Sequence, residues 1–376
     1  MISKNFISEA FYELTKFNIF LNAFALIGGN MEKEIRFPEI RPLNIDRYAR
    51  IISTGVGLPK AVVTNQDIID EFKLLATDRA VQYSLGIKER RWSDFDEKVE
   101  DLMMAAVEQC LETANIDIEK VDRVIFTKLF GDYQVPATSI GLLRKFKAKK
   151  GIPAFDICSA CSGFMHAMDL AIRYVATGDD YVLILGGSVI AKCVRLWKSP
   201  DPKTVFLFGD AIAAMLIGYS ETKSFLASYL LTNHSLYDNA KVNFGTEFLR
   251  SGMEDLNPSI FYMRIADGNI VFNSSAKYAK VIAEKLLRET GLTMEDIDFF
   301  VTSDQSEKIW EAQLKELNIP KEKSQSLFHK YGNTVSAMSP INLHDLIVSG
   351  RLKRGNLVMM QAHGAGASSG GMIFRY

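Results

Sequence analysis

The sequence predicts an α/β fold assembled from two duplicated halves, and three observations carry that prediction. First, residues 102–128 and 279–304 share one pattern. Each is an amphipathic stretch at helical spacing, then a short acidic linker, then an apolar strand-like run that ends in polar residues. Glu112 and Thr113 answer Glu289 and Thr290, Glu119 answers Glu295, and Val121–Asp122 answers Ile297–Asp298, an offset of 176 in residue number from 121 to 297. Second, another pair follows in the same order. The turn at Cys161, its helix, Gly178 and the strand Tyr181–Leu185 answer the turn at Asn333, a helix through Val348, Gly355 and the strand Leu357–Gln361. Third, 376 residues, 48% of them hydrophobic and 24% charged, supply enough apolar side chains for two core-bearing units of a globular protein.

In chain order, residues 1–44 stand apart as an N-terminal extension. Phe17 to Ile27 is apolar but broken by Asn18 and Asn22, and Glu9 and Glu13 precede it, which is not the basic start of a signal peptide. An amphipathic extension and a true start at Met31 both remain open. Residues 45–222 form the first half and 223–376 the second. A formal net charge of −1 argues against nucleic acid as the partner. No run reaches the ~18 apolar residues of a membrane span. Four cysteines without framework spacing fit a reducing, cytoplasmic setting.

The first half holds the clearest candidate for chemistry. From Ala154 to Phe164 an apolar run ends in small residues, and an amphipathic pattern starts at once. This reads as buried strand, tight turn, and helix beginning at Cys161. A cysteine there faces unpaired backbone N–H groups and the positive end of the helix dipole, which favour the nucleophilic thiolate. The small neighbours Ser159, Ala160, Ser162 and Gly163 leave room for a carbonyl and for donors around it, as acyl transfer through a thioester requires. Three other readings stay open: a plain core cysteine, a redox pair with Cys158, and a metal ligand, although Cys110 and Cys193 are single and no histidine cluster accompanies them. If the halves pack about a pseudo-two-fold axis, Cys161 and Asn333 stand at equivalent helix starts. The loop holding Asp304 then lies at a strand's C-terminal end, so the three residues share one pocket.

These residues carry a likeness. With Gly55–Pro59, Gly86–Arg90, Pro136–Ser139, Phe208–Asp210, Tyr331–Thr334 and the glycine-rich end His363–Gly371, the chain from about Tyr48 to Tyr376 resembles the thiolase-fold condensing enzymes of the β-ketoacyl-ACP synthase III type. The resemblance implies a five-layer αβαβα fold, a homodimer, and a nucleophilic Cys161 that takes an acyl group from CoA or an acyl carrier protein. That phosphopantetheine thioester is a substrate, and no permanently bound cofactor and no metal is implied. A His and an Asn would assist decarboxylation of a malonyl thioester, and backbone N–H groups of Cys161 and Ala365 would form the oxyanion hole. Phe208 falls in a motif beside the substrate.

The chain departs from the pattern at the histidine. The family's Pro-His-Gln-Ala-Asn reads Ser303-Asp304-Gln305-Ser306-Glu307 here, which puts Asp304 at the histidine position. An ionised carboxylate only accepts hydrogen bonds and repels a malonyl carboxylate. The leading expectation is therefore acyl transfer to a non-malonyl acceptor with Asp304 as general base. Ordinary decarboxylative condensation, with Asn333 and a relocated imidazole at His363, is the alternative. A non-catalytic partner subunit in a heterodimer with a paralogue is a third reading. At the CoA entrance, Ala80 and Ser84 replace a Trp and an Arg found in many relatives, and Lys203 stands beside a second lost arginine at Pro202. Lys192, Arg195, Lys198 and Lys203 are candidate contacts for an acidic carrier protein. Val135, where some relatives have an acyl-pocket Phe, suggests a longer or branched acyl group.

Overall fold

The computed structural model describes residues 47–195, 200–201, 204–242, 244 and 263–376. The expected extension at 1–44, and Lys198 and Lys203, lie outside them. In chain order the strands are β1 (Tyr48–Gly57), β2 (Val62–Thr64), β3 (Glu89–Arg91), β4 (Arg123–Lys128), β5 (Ala154–Ile157), β6 (Tyr181–Ser188), β7 (Ala211–Ser220), β8 (Phe225–Thr232), β9 (Ala240–Val242), β10 (Met263–Ile265), β11 (Phe299–Val301), β12 (Leu357–Gly364) and β13 (Ser368–Arg375). The helices are α1 (Asn65–Phe72), α2 (Asp78–Leu85), α3 (Val99–Ala114), α4 (Thr138–Phe146), α5 (Gly163–Ala176), α6 (Ala191–Arg195), α7 (Gly268–Thr290), α8 (Glu307–Glu316), α9 (Phe328–Tyr331) and α10 (Met338–Val348).

The duplication is visible in the sheets. One runs β1-β7-β6-β4-β5, and the other, read in the matching direction, runs β8-β13-β12-β11. Each first pair and each second pair is antiparallel, and each third pair is parallel. Where β5 lies parallel to β4, the second sheet keeps only a parallel bridge between Ser324 and Phe300. The chain passes from one sheet to the other between Ser220 and Phe225.

Five layers follow from which faces the sequence makes apolar. On β6, Val182 and Ile184 point to the middle layer while Leu183 and Leu185 point outward, the period-2 alternation of a strand buried on both faces. On β12, Val358, Met360 and Ala362 point inward while Leu357 and Met359 point outward. Helices α5 and α10 fill the middle layer between the sheets, α3 covers β1 and β7 on one outer face, and α7 covers β8, β12 and β13 on the other. This is the thiolase-like αβαβα arrangement.

The first glycine motif has a steric cause. A Cβ on Gly55 would stand 2.1 Å from the Ala106 carbonyl oxygen, and one on Gly57 would stand 2.0 Å from that of Leu102. Helix α3 thus lies against β1 at a distance only glycine permits. Gly57→Ala should force these elements apart and lower stability by about 1–3 kcal/mol. A urea denaturation midpoint equal to that of the parent chain would contradict the close approach.

Candidate active site

The Cys161 turn is a short 3₁₀ segment, Ala160–Ser162, which runs directly into α5. Ala160 adopts φ 44°, a strained left-handed conformation for a residue with a Cβ. The second half repeats this at Val335–Ala337, where Val335 has φ 59°. Those two left-handed residues fix the internal correspondence. Cys161 is matched by Ser336, not by Asn333, which lies three residues earlier. Ser336 is spent on structure: its hydroxyl donates to the Thr127 carbonyl (2.9 Å) and accepts from the Gly187 N–H (2.8 Å). The pseudo-two-fold therefore brings the two turns together without making Asn333 the equivalent of the cysteine.

Cys161 and Asn333 do meet. Both line a cavity of about 460 Å³, together with Phe208, Gln305, His363, Ala365 and the inner wall of α7. Asn333 is bracketed by backbone: its N–H donates to Leu207 O (2.8 Å), and Gly209 N–H donates to its carbonyl (3.1 Å). Its side-chain Oδ1 accepts from Val335 N–H (2.8 Å), which leaves the amide Nδ2 for the thiol. The strap around Phe208 is irregular, so its carbonyls need side-chain donors. Arg90, fully buried, donates to Phe206 O (2.9 Å), Val63 O and Asn65 Oδ1, and Trp92 Nε1 donates to Phe208 O (3.0 Å). Asp210 accepts from the N–H groups of Ser93, Ile190 and Ala191. Burial lowers the Arg90 pKa to about 10 and raises that of Asp210 to about 6. The motifs around Arg90 and Asp210 thus hold the strap that holds Asn333.

Burial pushes the Cys161 thiol up to about 11, against hydrogen bonds from Gln305, its own backbone N–H and Asn333. Desolvation of the buried sulfur thus outweighs the pull of the helix start towards the thiolate. Cys158 is exposed, Cys161 is buried, and both are free thiols. Among the described residues no group of three His, Cys, Asp or Glu is placed to hold a metal.

Asp304 is absent from the cavity wall. Its carboxylate is buried in a pocket of its own, where Ser326 Oγ donates to one oxygen and Asn342 Nδ2 (2.9 Å) to the other, and burial raises its pKa to about 7. The next residue, Gln305, faces the thiol instead. Its Nε2 also donates to His363 O, and its Oε1 accepts from Ser275 Oγ (3.2 Å). Sequence reasoning missed Gln305 because the relatives' window carries a Gln at the same place, so it looked ordinary. His363 lines the cavity with Nδ1 paired to Ser369 Oγ (3.1 Å), and burial lowers its pKa to about 3, so the ring is neutral.

The remaining expectations divide. Ala365 lines the cavity, and the missing Cβ of Gly364 would stand 3.0 Å from Cys161 N, so the glycine-rich loop closes on the nucleophile's amide. Ser84 lies on the wall and Ala80 is exposed outside it. Val135 is 83% exposed and does not reach the cavity of its own chain, because the loop ahead of α4 points away from it. Lys192 donates to Glu97 O, and Arg195 lies between Glu71 and Asp94, over the Trp92 ring. His166 packs against Ser368.

Two outcomes test this geometry. Alkylation of Cys161, read by peptide mass spectrometry, should be slow near pH 7 and still rising near about pH 10, because the thiolate is the reactive form; a plateau by about pH 8 would mean a stabilised thiolate. Asp304 has a folded pKa raised from 3.8 to about 7, so its stabilising contribution is complete below 3.8 and is lost as pH rises to about 7. Denaturation midpoints of the parent chain should fall relative to Asp304→Asn across that window, and parallel curves would place the carboxylate in solvent.

Comparison with known proteins bears on the fold and the family. The family model for 3-oxoacyl-[acyl-carrier-protein] synthase III matches residues 155–234, that for its C terminal matches 287–376, and the thiolase N-terminal domain matches 87–189. The β-ketoacyl-[acyl-carrier-protein] synthase III of Aquifex aeolicus (strain VF5) is 33% identical over 329 residues, covering 87% of this chain and 99% of that protein. The enzyme of the same name from Alkalilimnicola ehrlichii is 31% identical over 330 residues, covering 88% and 99%. The crystal structure of the Aquifex aeolicus synthase superposes with a TM-score of 0.78 at 31% identity, covering 87% of this chain and all (100%) of that one. Fold, cysteine turn and sequence together place the chain in the β-ketoacyl-ACP synthase III family of thiolase-fold condensing enzymes.

Proposed function

We propose that the chain is a decarboxylative 3-oxoacyl synthase. An acyl thioester of CoA or of an acyl carrier protein loads Cys161. A malonyl thioester then enters and loses CO₂, and its α-carbon attacks the acyl group. One observation carries this reading: the cavity around Cys161 presents neutral donors, Asn333 Nδ2 and Gln305 Nε2, while the Asp304 carboxylate is turned away to Ser326 and Asn342.

In the first half-reaction sulfur bonds to the acyl carbon, the donor's C–S bond breaks, and the Cys161 proton leaves with the departing thiol. The raised thiol pKa fits a group that acts only once substrate has filled the cavity. The oxyanion is assigned to the N–H groups of Cys161 and Ala365. In the second half-reaction the C–C bond to the malonyl carboxylate breaks, and its electron pair passes to the α-carbon as an enolate. The enolate oxygen meets Asn333 and Gln305 amides rather than a carboxylate, so like charges are kept apart. The α-carbon then attacks the acyl carbonyl, the bond to Cys161 breaks with its electron pair on sulfur, a 3-oxoacyl thioester leaves, and the sulfur takes a proton from solvent to restore the thiol. No base is needed, because loss of CO₂ generates the carbanion.

The expected transfer to an amine, alcohol or carbon acid assigned Asp304 as base, and its placement outside the cavity removes the reason for that assignment. The partner-subunit reading rested on the N-terminal extension, which lies outside the described residues, and on the altered triad, where Gln305 now stands beside the thiol. Assembly as a homodimer, or a heterodimer with a paralogue, is proposed through β5, the edge of the first sheet, flanked by the exposed Tyr133 and Val135.

Intact-protein mass spectrometry with acyl-CoA and acyl-ACP donors should show an adduct that Cys161→Ala abolishes. Labelled malonyl-ACP should then release CO₂, and Asn333→Ala should slow that release about 10²-fold or more. Acyl transfer to an amine or alcohol without CO₂ release would overturn the malonyl step, and no adduct with any donor would favour the partner-subunit reading.

A further inference from the structure

The Gln305 amide is gripped at both of its ends. Strand β11 stops at Val301, and its parallel pairing with β12 stops at Met360. Beyond that point β12 still presents peptide groups to the side where β11 has ended, and the 303–305 turn satisfies them. Ser303 N–H donates to Gln361 O (3.2 Å), His363 N–H donates to Ser303 Oγ (2.8 Å), and His363 O accepts from Gln305 Nε2. A peptide carbonyl only accepts, so it fixes which end of the amide is nitrogen. A reversed amide would set Oε1 against that carbonyl and towards the Cys161 sulfur on the same cavity wall. At the other end Oε1 accepts from Ser275 Oγ (3.2 Å), a side chain of α7 that is 3% exposed. One turn along the same helix face, Ala279 O accepts from Gln361 Nε2 (3.2 Å), which fastens α7 to the strand that carries His363. Gly371 keeps the two close, since a Cβ there would stand 2.6 Å from Ile282 Cγ2 and 3.0 Å from Gln361 Cγ. Strand β12 and helix α7 form a clamp of fixed width, and the Gln305 amide spans it.

We infer that Ser275 is a positioning residue for the condensation: its hydroxyl closes the clamp and keeps Gln305 Nε2 turned to the reacting atoms. The inference rests on the proposed decarboxylative reaction and names a residue that acts through Gln305. The terminal torsion of a glutamine is broad, so the side chain itself does little to oppose rotation of its amide. The two hydrogen bonds of the clamp supply that opposition. Without the Ser275 hydroxyl, Oε1 is a buried acceptor with no donor, a costly state that the amide relieves by rotating off His363 O. The two half-reactions feel this differently. In loading, negative charge develops on the acyl oxygen, which is assigned to the backbone N–H groups of Cys161 and Ala365. In the second half-reaction it develops on the enolate oxygen, which is assigned to the Asn333 and Gln305 amides. An amide that has turned its oxygen towards that position repels the enolate instead of stabilising it. Ser275 therefore bears chiefly on the loss of CO₂.

The test is a double-mutant cycle read separately on the two half-reactions. Parent chain, Ser275→Ala, Ser275→Thr, Gln305→Ala and the Ser275→Ala/Gln305→Ala double variant are loaded with an acyl donor that the parent chain accepts, and the Cys161 adduct is followed by intact mass. Each acylated protein then receives labelled malonyl-ACP, and CO₂ release is followed. Alanine suits a helix interior, so Ser275→Ala leaves α7 intact. Ser275→Ala is expected to slow CO₂ release about tenfold, less than the ~10²-fold for loss of a donor itself, and to slow loading by no more than about threefold. Ser275→Thr, which keeps the hydroxyl, should restore most of the lost rate. In the Gln305→Ala background, Ser275→Ala should change nothing further, because a residue that acts through another has no separate effect once that other is gone. Effects that multiply in the double variant overturn the inference, since Ser275 then acts independently of Gln305. So does a Ser275→Ala protein that slows both half-reactions equally, or one that releases CO₂ at the parent rate. Loading of the parent chain without any CO₂ release removes the proposed reaction and this inference with it.

Discussion

The structure depends on satisfying irregular backbone at the buried seam between its two halves. The two matching turns, Ala160–Ser162 and Val335–Ala337, each begin with a left-handed residue that has a Cβ and continue with two buried residues. Such turns persist only where their surroundings over-determine them. Ser336 supplies that for the second half, closing on the ends of β4 and β6 through Thr127 O and Gly187 N. The first half is closed in return by Gly364, whose lack of a side chain admits the amides of Cys161 and Ser162 at about the distance of contact. Each half thus caps the other's strand ends. One turn of the duplicated pair carries Cys161, and the other became the fastening that holds it.

The buried ions serve the same end. Arg90 and Asp210 touch no substrate wall; they spend their hydrogen bonds on the peptide groups of residues 63, 93, 190, 191 and 206. The carbonyl of residue 206 lies on the strap beside Asn333, which forms no strand to satisfy it, and a buried peptide group without a partner is costly. Placing the charges in the scaffold leaves the cavity neutral, which suits a reaction whose negative charge comes from the substrate.

Much of this was legible in the sequence, and the boundary is instructive. The helix–strand units around Val121 and Ile297 gave the duplication because amphipathic periodicity and strand hydrophobicity are local properties. Cys161 was legible because small residues, a strand and a helix meet in one short window. The true counterpart of Cys161, Ser336 rather than the expected Asn333, was not, since the marker that fixes the phase is a backbone dihedral at Ala160 and Val335. Lys203 and the first 44 residues fall outside what the structure describes. Val135 was assigned to a pocket by linear correspondence, but a loop's direction is set by what it packs on, and this one faces away from its own cavity. Asp304 was misplaced for the same kind of reason. Sequence gives the residue, while the turn between Ser303 and Gln305 decides which way it points.

That turn is where the chemistry of this chain is chosen. Asp304 and Gln305 are neighbours that point to opposite sides, one into a buried network and one at the thiol. A carboxylate in the cavity would find Asn333 and little else, whereas Ser326 and Asn342 offer it two donors side by side. A buried charge settles where its donors are, because desolvation without them costs several kcal/mol. Asn342 further donates to Thr302 O and accepts from Leu327 N–H (3.0 Å), so the donors are themselves locked to the loop they anchor. The residues that decide whether an amide or an acid confronts Cys161 therefore sit behind the site, at positions 326 and 342, and never touch the substrate. A comparison of condensing enzymes that matched only the three residues around the thiol would class this chain by its aspartate and assign it a base. Matching the donors behind the aspartate puts an amide beside Cys161 instead.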